Sequence, residues 1–244
     1  EALIPDFFHA YDPFVDKQKH LLDLAARIPG LYVPAFYRPS YGSDGCLESV
    51  EPIADVPAII QRRMVADLSR LPTASTILTP DTTFDDTYLI EVSRGCPHGC
   101  RFCSAGYVYR PPRYRPLDLL IEQVDKGCAL TDRIGLVGAA VSDLPGIEKL
   151  CSTDRDGEIR FSFSSLRADA LEGALVAALK NSQVKTATIA PDAGSERMRR
   201  VVNKGITEDH VISAADILVN AGIPNLKVYF MIGLPTETEE DVNA

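Results

Sequence analysis

The chain has 244 residues, a formal net charge of −9, 45% hydrophobic residues and 24% charged residues. That length can bury roughly 70–75% of its unfolded surface, enough for one large domain or two small ones. The longest apolar run falls far short of the roughly 18 residues a membrane span needs. No signal peptide opens the chain, and the acidic balance argues against a nucleic-acid module, which needs a basic face.

Residues 1–85 read as an irregular, partly helical wrapping or linker segment. One helical pattern lies near 15–28, with Val15, Leu21, Leu22, Ala25 and Ile28 on one side. A second lies near 57–69, with Ile59, Ile60, Met64 and Leu68. Between them Tyr37 to Gly45 reads as a turn-rich loop, and Pro72 and Pro80 break the chain again.

From residue 86 strand-like and helix-like runs alternate. The strands are expected at 88–93, 134–139, 159–165, 186–190 and 226–232, and the helices near 116–130, 145–151, 168–181 and 207–221. The helix at 116–130 groups Leu117, Leu120, Ile121, Val124 and Cys128 on one face. Thr207 is expected to cap the last helix and Gly222 to stop it. This rhythm predicts an α/β fold, a partial (β/α)6 TIM-like barrel with parallel strands, whose ligands gather at the carboxyl ends of the strands. The chain opens on Glu1, and Thr236 to Asp241 reads as the start of a helix capped by Thr238, just before Ala244. The expectation is a piece of a longer protein, with residues 86–244 a C-terminally truncated core.

Six cysteines are too few for a disulfide framework. Three of them crowd into eight residues: Cys96, Cys100 and Cys103, directly after the first strand of the series. Such crowding reads as metal binding in a reducing, cytoplasmic compartment. Thiolates are soft ligands that suit iron–sulfur clusters or zinc. Gly95 and Gly99 let the backbone fold tightly round a bulky group. Three cysteines leave one iron of a four-iron cluster open for chemistry, whereas an electron carrier closes all four. The zinc alternative would use His98 as fourth ligand, but zinc sites pair one Cys-x-x-Cys unit with a distant second pair, and none is present.

The Cys-x-x-x-Cys-x-x-Cys loop after a first strand, with Phe102 before the last cysteine, resembles the radical S-adenosylmethionine (SAM) superfamily. The string Arg94 to Ser104, followed by Tyr109-Arg110-Pro111-Pro112-Arg113, looks most like members that follow a cobalamin-binding domain. The resemblance implies a [4Fe–4S] cluster on Cys96, Cys100 and Cys103, which serve as both metal ligands and catalytic residues. It further implies reductive cleavage of SAM to a 5′-deoxyadenosyl radical that abstracts hydrogen from an unknown substrate. Phe102 would sit under the adenine. Gly138 and Ala139, in Val137 to Asp143, stand where the family carries a glycine-rich turn for the SAM amino group. Asp192 would bind the ribose, and Ser195 or Arg197 would reach the SAM carboxylate. Gly233 and Leu234 open a turn near the adenine in which Thr236 replaces a glycine. Implied partners are a small or macromolecular substrate and a reductant such as flavodoxin or ferredoxin. Cobalamin would be held by a domain outside this chain.

Plainer readings stand beside these. Asp192 also reads as a turn residue, Ser195 as a helix cap, and His98 as a solvent-facing loop residue. Arg94, Arg101, Arg110, Arg113 and Arg115 are either an anion clamp or a solvated loop. Ser164, Ser165 and Arg167 end the third strand, where a contact or a surface position fits equally. Cys128 reads as a buried small hydrophobe. The alternative functions are a methylthiotransferase acting on RNA or protein, and a non-catalytic Fe–S or zinc module closed by Cys128 or Cys151.

Overall fold

The computed structural model describes residues 3–153, 157–164 and 166–244. The chain divides into two compact units, 1–66 and 67–244. In the first, α1 (Leu3–Ala10) and α2 (Lys17–Arg27) precede a hairpin of β1 (Tyr37–Tyr41) and β2 (Leu47–Pro52). Asp16 caps α2 by accepting from the amide of Lys19 at 2.9 Å. A small core gathers Ala25, Phe36 and Tyr37.

Two expectations for this unit are corrected. The stretch Tyr37 to Gly45 is mostly strand, not loop: β1 pairs antiparallel with β2 around a bulge at Ser40/Tyr41. Pro39 and the exposed outer residues hide its alternation. Residues 57–67 form no helix, only a short 3₁₀ turn follows at Leu68–Arg70, and Ile59 stays 78% exposed. Apolar spacing made no helix there because the spaced residues do not share one buried face.

The second unit carries the β/α series. Its strands are β3 (Tyr88–Glu91), β4 (Ser93–Arg94), β5 (Arg113–Tyr114), β6 (Arg133–Val137), β7 (Arg160–Phe163), β8 (Thr186–Asp192) and β9 (Asn225–Phe230). The helices are α3 (Ala105–Val108), α4 (Leu117–Cys128), α5 (Ile147–Cys151), α6 (Gly173–Asn181), α7 (Glu196–Val201), α8 (Glu208–Asn220) and α9 (Glu239–Val242). β3, β6 and β7 form one parallel sheet in that order, and β8 with β9 a second. Among the described residues no ladder joins the two sheets, so the barrel is open. Of the expected third strand, Ser165 lies outside the described residues.

The core lies between these sheets and their helices. Ile90, Leu120, Val124, Ile134 and Ile189 are fully buried in it, each contributing about 1.5–3 kcal/mol. α4 presents Leu120, Gln123, Val124 and Gly127 to the core. The expected Leu117 and Ile121 pack against the same core, but Cys128 at the helix end is exposed rather than buried. Capping boxes open α8 at Thr207 and α9 at Thr238, and Gly222, with φ +84°, ends α8.

The unit begins at Asp67, well before residue 86, because its first segment covers the edge of β3. The amide of Glu91 donates to Thr73 O at 3.0 Å and that of Ser75 to Leu89 O at 2.9 Å. Covering an edge strand removes a row of unpaired backbone groups.

Cys151 lies buried on α5, and burial pushes its thiol up to about 12. Native protein treated with iodoacetamide at pH 8 is expected to be alkylated at the exposed Cys46 and Cys128 and spared at Cys151. Peptide mass spectrometry reads this directly. Cys151 reacting as fast as Cys46 would mean that α5 is not packed as described.

Candidate cofactor site

The cysteine loop leaves the sheet through a closed neck. β4 and β5 pair antiparallel, Ser93 with Tyr114 and Arg94 with Arg113, so residues 95–112 form a loop whose ends meet. Two glycines shape it. Gly95 has φ +77°, and a Cβ there would stand 2.3 Å from Tyr109 O. A Cβ on Gly106 of α3 would stand 2.2 Å from His98 O. Both distances are impossible for real atoms, so the loop packs only with hydrogen at those positions.

Inside the neck, Glu91 receives two guanidinium groups. Arg94 donates to Oε1 at 2.7 Å and to Oε2 at 2.9 Å, and Arg115 also donates to Oε2. Arg115 is buried and also donates to Leu68 O at 2.7 Å and Thr73 Oγ1 at 2.9 Å. Arg101 and Arg110 donate to the carbonyls of Val201 and Pro97, and Arg113 to that of Pro111. The five arginines hold the loop together, and none lines the cavity described next.

Cys96, Cys100 and Cys103 open onto one cavity of about 560 Å³, a size suited to a cofactor or small ligand. Cys96 and Cys100 are buried and Cys103 half-buried. Phe102, His98, Ala139 and Ser164 share its wall. Among the described residues, the lysine and arginine on it are Lys204 and Arg167. Arg167 is buried and donates to Asp169 at 2.9 and 2.8 Å, so it is no surface residue. Lys204 pairs with Asp192 at 2.5 Å. Burial raises the Cys100 thiol, and the positive charges of Lys204 and Arg167 oppose that rise.

His98 is half-buried rather than freely solvated: its Nε2 pairs with the Asp143 carboxylate. This ties the cysteine loop to the segment after β6. Nothing in the sequence spacing signals that pair, nor Lys204, which sits in a turn far along the chain.

The remaining predicted residues fall into separate groups. Gly138 and Ala139 follow β6, and Ser164 bridges Gly138 by accepting from its amide at 3.1 Å and donating to its carbonyl at 3.0 Å. Asp192 is buried with φ +68°, at the end of β8. Ser195 caps α7, accepting from Met198 N at 3.1 Å, and donates to Asp241 at 2.5 Å. Arg197 also pairs with Asp241. Arg197 first and Ser195 second hold the Asp241 carboxyl far below the usual carboxylate range. Ser195 faces a second cavity of about 690 Å³ between α7, α8 and the end of β9. Gly233 and Leu234 donate their amides to Glu237 at 2.5 and 3.2 Å, closing their turn on itself. Thr236 in that turn has φ +68°, the left-handed region that a glycine would occupy freely.

The donor set can be tested against a cluster. Among the described residues no three His, Cys, Asp or Glu side chains converge tightly enough to hold one metal ion. The three thiols line one cavity. A four-iron cluster takes each thiolate on a different iron and leaves one iron open, which suits three thiols on one cavity. Arg167 and Lys204 would offset the negative charge of such a thiolate-bound group. Three soft thiolates on one cavity, with two cations beside them, fit a thiolate-bound cluster.

A parallel β/α sheet with three thiols in the loop after its first strand defines a thiolate-ligated cofactor domain. Residues 90–244 match the Radical SAM superfamily, and the chain belongs to that family. Members use a [4Fe–4S] cluster and SAM. The chain is 42% identical over 161 residues to an uncharacterised protein of Methanocaldococcus jannaschii, a match covering 65% of this chain and 36% of that one. It is 27% identical over 241 residues to the ribosomal protein uS12 methylthiotransferase RimO of Anaeromyxobacter, covering 92% of this chain and 48% of that one. The chain thus spans about a third to a half of these relatives. In fold it is similar to the cobalamin-dependent SAM radical enzyme OxsB, with a TM-score of 0.54 at 17% identity over 84% of this chain and 31% of that one. No helix among the described residues is long and apolar enough to cross a membrane.

Proposed function

We propose that this chain is the catalytic core of a radical SAM enzyme, with Cys96, Cys100 and Cys103 as ligands of a [4Fe–4S] cluster. The observation that carries the reading is the cavity on which all three thiols open together with Arg167 and Lys204. When bound, such a cluster supplies the single electron that cleaves SAM to a 5′-deoxyadenosyl radical, the species that takes hydrogen from a substrate. The chain's own residues bind and orient. Phe102 and Ala139 line the cavity where SAM would lie, and Gly138 is held beside them through Ser164. Asp192 serves the ribose from the end of β8, where Lys204 pairs with its carboxylate and holds it in place. Ser195, Arg197, Gly233 and Leu234 contribute from the neighbouring turns: Ser195 and Arg197 bond Asp241, Arg197 also donates to Thr236 O, and Gly233 and Leu234 donate to Glu237.

A reductant such as flavodoxin or ferredoxin would deliver the electron, and a cobalamin-binding domain outside this chain would complete a cobalamin-dependent member. The similarity to OxsB in fold favours that assembly. The methylthiotransferase alternative draws on the relative named for uS12 modification. A net charge of −9 lends no support to an RNA substrate.

Anaerobic reconstitution is expected to yield about four irons per chain, and dithionite with SAM to release 5′-deoxyadenosine. Cys100→Ala is expected to abolish both. Retention of iron and cleavage by that variant would overturn the assignment.

A further inference from the structure

The turn between α7 and α8 touches both ends of the cofactor cavity. On one side it meets the cysteine loop. The amide of Arg101 donates to Val202 O at 2.9 Å, and the Arg101 guanidinium donates to Val201 O. The side-chain amide of Asn203 donates to Gly99 O at 2.8 Å, an acceptor it shares with the Tyr107 hydroxyl at 2.8 Å. On the other side Lys204 pairs with Asp192 at the end of β8. The sheets carrying these two regions share no ladder among the described residues. The turn therefore spans a gap that the backbone hydrogen bonds of the sheets leave open.

The turn is also rigid at its base. Arg199 is buried and donates to Ile206 O at 2.9 Å and to the carbonyls of Ala193 and Gly194. The Lys204 amide donates to Arg199 O at 2.8 Å. Asn203 itself has φ +54° and Gly205 φ +71°, conformations that asparagine and glycine adopt most readily. A Cβ on Gly99 would stand 3.1 Å from the Asn203 amide nitrogen, so the two residues are in close register.

We propose that the turn from Val201 to Gly205 is a strut that sets the cysteine loop against the end of β8, with Asn203 as its positioning residue. Gly99 directly precedes Cys100, so a shift of the Gly99 carbonyl moves that thiol. The inference rests on the reading of Cys96, Cys100 and Cys103 as cluster ligands. Asn203 does not touch the cofactor; it acts through the peptide group before a ligand.

Asn203→Gly tests this, because glycine keeps the left-handed backbone and removes only the amide. The reconstituted variant is challenged anaerobically with EDTA and iron release is followed. Loss of one hydrogen bond is expected to speed release about fivefold, with altered g-values in the EPR spectrum of the reduced cluster. Asn225→Ala serves as control, since Asn225 makes the same kind of bond, to Lys185 O at 3.0 Å, at the opposite end of β8. That control is expected to release iron at the wild-type rate. Wild-type rate and spectrum in Asn203→Gly, or equal acceleration in Asn225→Ala, would overturn the strut alone. A wild-type chain that takes up no iron would overturn the cluster reading and the strut with it.

Discussion

Gly106→Ala is expected to destabilise the protein by about 2–3 kcal/mol, the upper part of the range for forcing an extra group into packed structure. The sign is opposite to that of an ordinary helix position, where alanine in place of glycine gains about 1 kcal/mol. Here Gly106 lies in α3 with its α-carbon against the cysteine loop, and the new methyl would stand 2.2 Å from His98 O. His98 O is main chain and the methyl position is fixed by the backbone, so no side-chain rotation relieves the clash. The loop between Cys96 and Cys100 must move away, and iron uptake is expected to fall with it. Urea unfolding of the metal-free protein gives the stability term, and iron per chain after reconstitution gives the site term. A stabilised Gly106→Ala variant would show that α3 and the loop do not pack together.

Arg115→Ala is expected to cost about 3–5 kcal/mol, the loss seen when one partner of a buried ion pair is removed. Arg115 is 3% exposed and joins four groups: the carbonyls of Leu68 and Leu71, the Thr73 hydroxyl and the Glu91 carboxylate. Removing it leaves the Leu68 and Leu71 carbonyls with only their long bonds, from the Leu71 amide at 3.4 Å and the Thr73 hydroxyl at 3.3 Å, and halves the countercharge on Glu91, leaving Arg94 alone. It also frees the segment that covers the edge of β3. Against a typical total stability of about 5–15 kcal/mol, such a loss is large. Arg115→Lys is expected to recover only part of it, because an ammonium group lacks the planar fork that reaches several partners at once. The midpoint of urea unfolding measures both variants. A midpoint for Arg115→Ala within error of wild type would show that the neck is held by β4 and β5 alone.

These two residues illustrate what the sequence conceals. Arg115 reads as one of five arginines beside a metal motif, equally suited to clamping an anion. Its partners Leu68, Leu71 and Thr73 lie more than 40 positions upstream, and spacing along the chain carries no trace of them. The same holds for Lys204 and Arg167, the cations that do face the thiols. Cys128 was misplaced for a subtler reason. The expected apolar residues of α4 do pack in the core, but at its last turn Gly127 takes the place against Tyr88, so that Cys128 points outward.

Local chemistry, by contrast, was open to reading. The cysteine spacing, the glycines around it, the β/α alternation and the caps at Thr207, Ser195 and Thr238 are short-range features. Each depends on residues within a few positions of one another, where backbone geometry and hydrogen-bond reach leave few solutions. The family and its cofactor chemistry follow from that three-thiol loop. Tertiary structure alone decided which charges surround the thiols and which loops hold them apart. Those contacts join segments up to about a hundred residues apart, such as Gly99 and Asn203. They form only when packing of the two sheets brings their ends together around one cavity.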